Sequence, residues 1–449
     1  MLDAVSLSYL EALSEADAAI MRQVVAARKY HGGKQGVLLT ERLQQFLGQG
    51  FGGFEFRLNV ARTVVTAVTE KLGVVGFDAT DVGAIAWAQA LWKANGLDAL
   101  QNDIFDAALR DGAHYVIVDW PEGAEYARWL PQNRYTATEV GGDGCGCFVV
   151  YPQDDPNLIP TVAVKYWTEM LDHRPTQRRN LYYPDRIEKW ARTGGGGDWT
   201  AFQDPGDEEW PISWVDGNGK PLGIAVIPFY NKDLALEAAD AIPIQDAINK
   251  EVVDLLSTED QAAYRVFVAL GFIPTSDGQD LKKDRSNALE IQPGIVVGTT
   301  KPKSEADFKV IEAADLRPFM DLVQQSVMWL ALVTNTPVSR FITTKLIASD
   351  ETLKEQEGPL VAKVENRQKL FGHSFRQCFE LSARLTQLYA PGTPAGSVDV
   401  IWKSAQSLKD RLEELKYKMD LGVPQSQLWT ELGYGQDKIT TWQKGVSDD

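Results

Sequence analysis

The chain has 449 residues, enough for two to four hydrophobic cores, and its 44% hydrophobic and 24% charged residues are ordinary for a soluble protein. A net charge of −17 argues against a broad grip on nucleic-acid phosphate, although an acidic wall also lets DNA slide past without sticking. No apolar run reaches the roughly 18 residues a bilayer span needs, Met1-Leu2-Asp3 opens no signal peptide, and Cys145, Cys147 and Cys378 make no disulfide framework, so a reducing compartment and no membrane are expected.

Taken in order, residues 7–31 predict a helix with Leu10, Leu13, Ile20, Val24 and Val25 on one side, ending at Tyr30-His31-Gly32-Gly33. A loop with a short helix near 39–47 follows. Residues 56–72 predict a strong helix that runs into a short strand or turn at Val74–Phe77. Helices at 85–95 and 97–109 are separated by Gly96, and 113–120 alternates like a strand. From about 123 to 230, short β-prone runs at 147–151, 161–167, 179–183, 187–192 and 224–230 predict an antiparallel meander with Trp190, Trp199, Trp210 and Trp214 close by.

The stretch 239–390 has an unusual order of parts. Ile244, Ile248, Val252, Leu255, Val266 and Leu270 predict one helix over 239–270, stopped by Gly271 and Pro274. A polar insert at about 275–314 follows, with runs such as Gly294–Val297 that suit small strands. A second helix over 316–333 carries Leu316, Phe319, Val323, Val327 and Leu330, with Asp315 placed to cap it and Pro318 in its first turn. Thr334–Asp350 reads as a loop punctuated by Asn335, Pro337 and Ser339, and Arg340 and Lys345 are its cations. A helix of nearly forty residues then runs to Tyr389, with a kink expected at Gly358-Pro359. The tail from Pro391 adds a strand at 398–402 and helices at 408–421 and 425–432. Two antiparallel helices with an insert at one end and a loop feeding a long helix suit a ring of subunits around a channel.

Enzyme signatures are missing. No P-loop, Gly-x-Ser-x-Gly or His-Glu-x-x-His pattern occurs, and Gly194–Gly197 reads as a hairpin tip. Cys145-Gly-Cys147 has no second pair at ligand spacing, so no metal site is expected. Asp154-Asp155 and Glu208-Glu209 read as solvated loops. The Trp cluster reads as packing of a small sheet rather than a sugar site.

An ordered set of segments resembles the portal proteins of tailed bacteriophages, in the branch found in many siphophages. These are Ala27–Gln35, Leu58–Val65 with Lys71–Phe77, Trp92–Asp98, Ala107–Val118, Ile227–Lys232, Thr334–Pro337 and Ser349–Lys354. Together they cover nearly the whole chain; Gly358-Pro359 and a short C-terminal region depart from the family's pattern. The resemblance implies an α+β portal fold. Its parts are a wing over 1–238 with the β meander, stem helices at 239–270 and 316–333, a clip at 271–315, a tunnel loop at 334–350, a long wing helix at 351–390 and a small crown at 391–449.

The resemblance implies a ring, typically of twelve subunits, at one capsid vertex of the virion, assembled in the host cytoplasm. Double-stranded DNA would pass through it. A packaging terminase would dock on the clip, and a head–tail adaptor would later replace it; major capsid and scaffolding proteins would be neighbours. It implies neither catalysis nor a cofactor. Ser339, Arg340, Thr343, Thr344 and Lys345 are the loop residues expected to face DNA, with weak phosphate contacts. The alternative for Arg340 and Lys345 is an ordinary solvated or salt-bridged loop. Asp277, Asp280, Lys282, Lys283, Asp284 and Arg285 are expected on the docking surface of the clip. Two other readings stand beside the DNA conduit: a ring-forming adaptor of the head–tail connector that never touches DNA, and an enzyme using the Trp-rich meander.

Overall fold

The computed structural model describes residues 21–36, 58–135, 145–152, 159–194, 197–207, 209–263, 266–270, 275–276, 279–280, 304, 307–311, 315–342, 350–406, 408–431, 439 and 442. The chain divides into two compact units. The larger contains Met1–Gly36, Arg57–Gln245 and Val327–Asp449, and the smaller contains Val37–Phe56 and Asp246–Ser326. In chain order the strands are β1 (Val74–Asp78), β2 (Ala113–Asp119), β3 (Arg128–Asn133), β4 (Gly146–Val150), β5 (Val162–Leu171), β6 (Arg174–Tyr182), β7 (Arg186–Thr193), β8 (Thr200–Ala201), β9 (Ile212–Ser213), β10 (Val226–Tyr230), β11 (Val266–Leu270), β12 (Thr275–Ser276), β13 (Gln279–Asp280), β14 (Asp307–Ile311) and β15 (Asp399–Trp402). The mixture of helices and antiparallel sheets is the expected α+β class.

The core of the larger unit is organised by the helix Asp350–Tyr389. Apolar side chains recurring at three- and four-residue steps bury one face of it: Leu360, Val364, Phe371, Phe375, Cys378 and Phe379 are fully buried. Phe375 is the hub. Its ring centroid lies 4.9 Å from Phe229, 5.5 Å from Trp92, 6.0 Å from Trp402, 6.1 Å from Phe105 and 6.2 Å from Trp129. The indole N–H of Trp129 donates to Ser382 Oγ at 2.8 Å, so the one polar atom of its side chain is satisfied. Pro359 lies inside this helix without ending it.

Two strands in this core depart from the sequence reading. β10 does not extend the meander; it pairs with β2 in a separate sheet of order β10-β2-β3. β3 is a strand the pattern hid, because Pro131 interrupts its β signal. As an edge strand it tolerates a residue without an N–H. The tail strand β15 pairs with β1, with Phe77 opposite Val400, and carries Trp402 into the aromatic cluster, so the start of the C-terminal region belongs to this core.

The meander is the antiparallel sheet β4-β5-β6-β7-β8, with β9 on β7. Asp172 and His173 close the β5–β6 hairpin, both at positive φ (48° and 62°), as a two-residue loop requires. The tryptophans are packing residues. Trp190 and Trp199 are buried with Val162, Val164 and Leu181, and Trp190 meets Trp210 edge-on at 5.2 Å. The indoles of Trp210 and Trp214 donate to the carbonyls of Lys189 and Gly223. Burial pushes the Cys147 thiol up to about 12. No cluster of metal-ligating side chains occurs among the described residues, and no described helix is long and apolar enough to cross a membrane.

Two helices, Ala241–Ala263 and Arg317–Thr334, carry the chain between the units. The first ends at Ala263, short of the expected 270, and Val266–Leu270 is the strand β11, paired antiparallel with β14. Val266 and Leu270 fit a helical stripe by spacing, but Val-Phe-Val is β-branched and aromatic, and a partner strand decides between the two readings. In the smaller unit Ser326 Oγ donates to Glu251 Oε1 at 3.0 Å, tying the two helices together. Asp315 accepts from the Arg317 N–H at 3.1 Å and caps the second helix as expected. The expected strand at 294–297 lies outside the described residues.

Candidate functional site

The loop that begins at Thr334 starts from a helix end written in the sequence. Asn335 takes the left-handed conformation (φ 50°), the Thr336 N–H returns to Ala331 O at 3.0 Å, and the Asn335 N–H returns to Leu332 O at 3.3 Å. This is the Schellman pattern, with Asn as the left-handed residue and Pro337 just beyond it. Thr334 Oγ1 donates to Leu330 O at 2.7 Å, and Thr336 is buried beside it. Val338–Arg340 then forms a single 3₁₀ turn with Ser339 and Arg340 at the surface.

Arg340 is not a free cation. Its Nη1 lies 2.7 Å from Glu70 Oε2, just past the helix Ala61–Thr69. In the single chain Arg340 is therefore salt-bridged. Thr343, Thr344 and Lys345 lie outside the described residues. So do Asp277, Lys282, Lys283, Asp284 and Arg285. Asp280 ends β13, whose partner is β12.

Behind the loop lies a buried ionic cluster that the sequence reading missed. Glu237 sits in the connection between β10 and the helix Ala241–Ala263, with its side chain 3% exposed. Lys363 Nζ lies 2.8 Å from Glu237 Oε1, and Arg367 Nη2 lies 3.0 Å from Oε2. Asn231 Nδ2 donates to Oε2 at 3.1 Å. Lys363 also donates to the carbonyl oxygen of Thr334, the last residue of the helix Arg317–Thr334. Burial alone would raise the Glu237 carboxyl, but Lys363 and Arg367 outweigh it and hold the group below its ordinary value.

The connection is fixed from the core side as well. The Asn231 N–H donates to Gly112 O at 3.0 Å, and the Glu237 N–H to Leu109 O at 2.9 Å. Gly112 sits at φ 79°, and a Cβ there would run into the carbonyl oxygen of Leu234, so only glycine fits. Asp111, fully buried, accepts from both Arg110 and Arg28 and pins the helix described over 21–31 to the same corner. Gln245, in the first turns of its helix, accepts from the N–H groups of Val60 (2.7 Å) and Ala61 (3.0 Å) and so caps the helix Ala61–Thr69. Both crossing helices are thus anchored where they leave the larger unit.

The helix Arg317–Thr334 also leaves an apolar face open. Met328, Trp329, Leu332 and Val333 are 47%, 49%, 75% and 48% exposed. They lie on two adjoining turns next to the loop.

A family model described as phage portal protein, SPP1 Gp6-like, matches residues 90–433. The chain belongs to this portal family. The match takes in both crossing helices, the loop and the Glu237–Lys363–Arg367 cluster. The portal protein of Mycobacterium phage D29 is 21% identical over 340 residues, which cover 72% of this chain and 64% of that protein. The chain therefore spans less than two thirds of that portal relative's length. Portal proteins are a structural family, and the Trp-rich meander that an enzyme reading needed is spent on packing.

Proposed function

We propose that the chain is the subunit of a homo-oligomeric ring, typically of twelve copies, that forms the DNA channel at one vertex of a phage capsid. One observation carries the reading beyond family membership: the exposed face of Met328, Trp329, Leu332 and Val333 beside the loop. A contiguous apolar helix face on a strongly acidic chain is costly in water, and a second copy removes it from solvent. Residues 334–350 then line the narrow part of the channel, with Ser339, Arg340, Thr343, Thr344 and Lys345 toward DNA. The smaller unit supplies the clip, where the packaging terminase and later the head–tail adaptor dock through Asp277, Asp280, Lys282, Lys283, Asp284 and Arg285. Capsid and scaffolding proteins surround the ring in the assembling virion.

The Arg340–Glu70 pair bears on the DNA contact. Both side chains are substantially exposed, and such pairs are worth little, so a passing phosphate can displace Glu70 at small cost. The same pair also favours the second reading, an adaptor ring that never touches DNA. The double variant Arg340→Ala/Lys345→Ala separates them. The channel reading expects intact rings that package or retain less DNA in a packaging assay. Normal packaging and retention of full-length DNA would leave the two cations without a role.

A further inference from the structure

We propose that Lys363 is the positioning latch of the channel loop, joining the end of the helix Arg317–Thr334 to the long helix and to the Glu237 connection. The geometry has two independent parts. Lys363 bonds Glu237 Oε1 at 2.8 Å with one hydrogen and the Thr334 carbonyl oxygen with another, so one ammonium holds three segments distant in sequence. The charges count two cations, Lys363 and Arg367, against one carboxylate in a buried setting. Arg367 Nε, also buried, finds no acceptor among the described residues.

The cluster therefore has more positive charge and more donors than its carboxylate can meet. The C-terminus of a helix carries a partial negative charge and unsatisfied carbonyls. The Thr334 end supplies what is missing. Seating the helix end completes the cluster, and lifting it leaves surplus positive charge out of water. The loop departs from that same residue, so its starting point is set by Lys363 rather than by its own short 3₁₀ turn. The consequence for DNA rests on the channel reading; the latch itself does not.

Amide hydrogen exchange on the purified full-length protein tests the latch. Lys363→Met keeps the aliphatic stem and leaves Glu237 paired with Arg367. Exchange at residues 335–342 should rise by about tenfold, the loss of one charge-assisted hydrogen bond, while Phe371–Phe379 stays unchanged. Lys363→Arg should restore most of the protection. Arg367→Met removes the surplus charge but not the Thr334 contact, so exchange at 335–342 should rise clearly less than in Lys363→Met. If Lys363→Met does not fold, Lys363→Gln, which keeps a donor without the charge, should show an intermediate rise. Unchanged exchange at 335–342, or an equal rise in Arg367→Met, would overturn the latch. A rise in exchange with normal DNA packaging and retention would support the latch and count against the loop's place in the channel.

Discussion

Glu237→Gln should destabilise the larger unit by about 3–5 kcal/mol, because it leaves two buried cations facing each other with no carboxylate between them. Gln keeps the size of the side chain and can still accept a hydrogen bond, so the loss reports charge rather than packing. Lys363→Met and Arg367→Met each leave a balanced one-to-one pair with Glu237 and should cost less. Denaturant unfolding of the three variants gives the order directly. A Gln variant as stable as the wild type would mean that the cluster is not a structural joint. The pH dependence has a definite sign. The folded Glu237 is held below its ordinary value of 4.5, so its contribution is present above that value and is lost as pH falls through the lower, folded value. The Gln variant should lack that portion of the acid loss.

The second large effect concerns assembly. Trp329→Ser with Leu332→Ser should abolish ring formation while leaving the monomer's melting transition close to wild type. Trp329 is 49% and Leu332 75% exposed in the single chain, so their truncation opens no closed cavity in it. Aromatic and aliphatic anchors at an interface commonly contribute about 2–4 kcal/mol on truncation, and a closed ring repeats that loss at every contact. Sedimentation of the double variant at the concentration where the wild type assembles provides the check. Rings of normal size would show that this face is not the subunit interface.

Much of this arrangement was legible in the sequence because it is local. The helix Asp350–Tyr389 is written in its spacing of buried residues. The helix stop at Thr334 is written in Asn335 and Pro337, and the helix start after Asp315 in a capping carboxylate. What the sequence hid depends on partners far along the chain. Val266–Leu270 has helical spacing and becomes a strand because Asp307–Ile311 lies beside it. Arg128–Asn133 is a strand only as the edge neighbour of β2, and Ile224–Tyr230 looked like one more turn of the meander until β2 claimed it. Glu237 and Lys363 are 126 positions apart, and nothing within either segment announces the other. Lys363 and Arg367 are four residues apart on one helix face, but that spacing on a charged helix ordinarily marks a solvated side. In the candidate site, Arg340 was visible as a loop cation, whereas its pairing with Glu70 was not.

Negative-stain electron microscopy of the purified protein at high concentration shows directly whether the subunits close into a ring. Closed rings of uniform diameter with a central hole are the expected result. Compact particles of about one chain's mass, 49.8 kDa, persisting at every concentration and under assembly conditions, would contradict it.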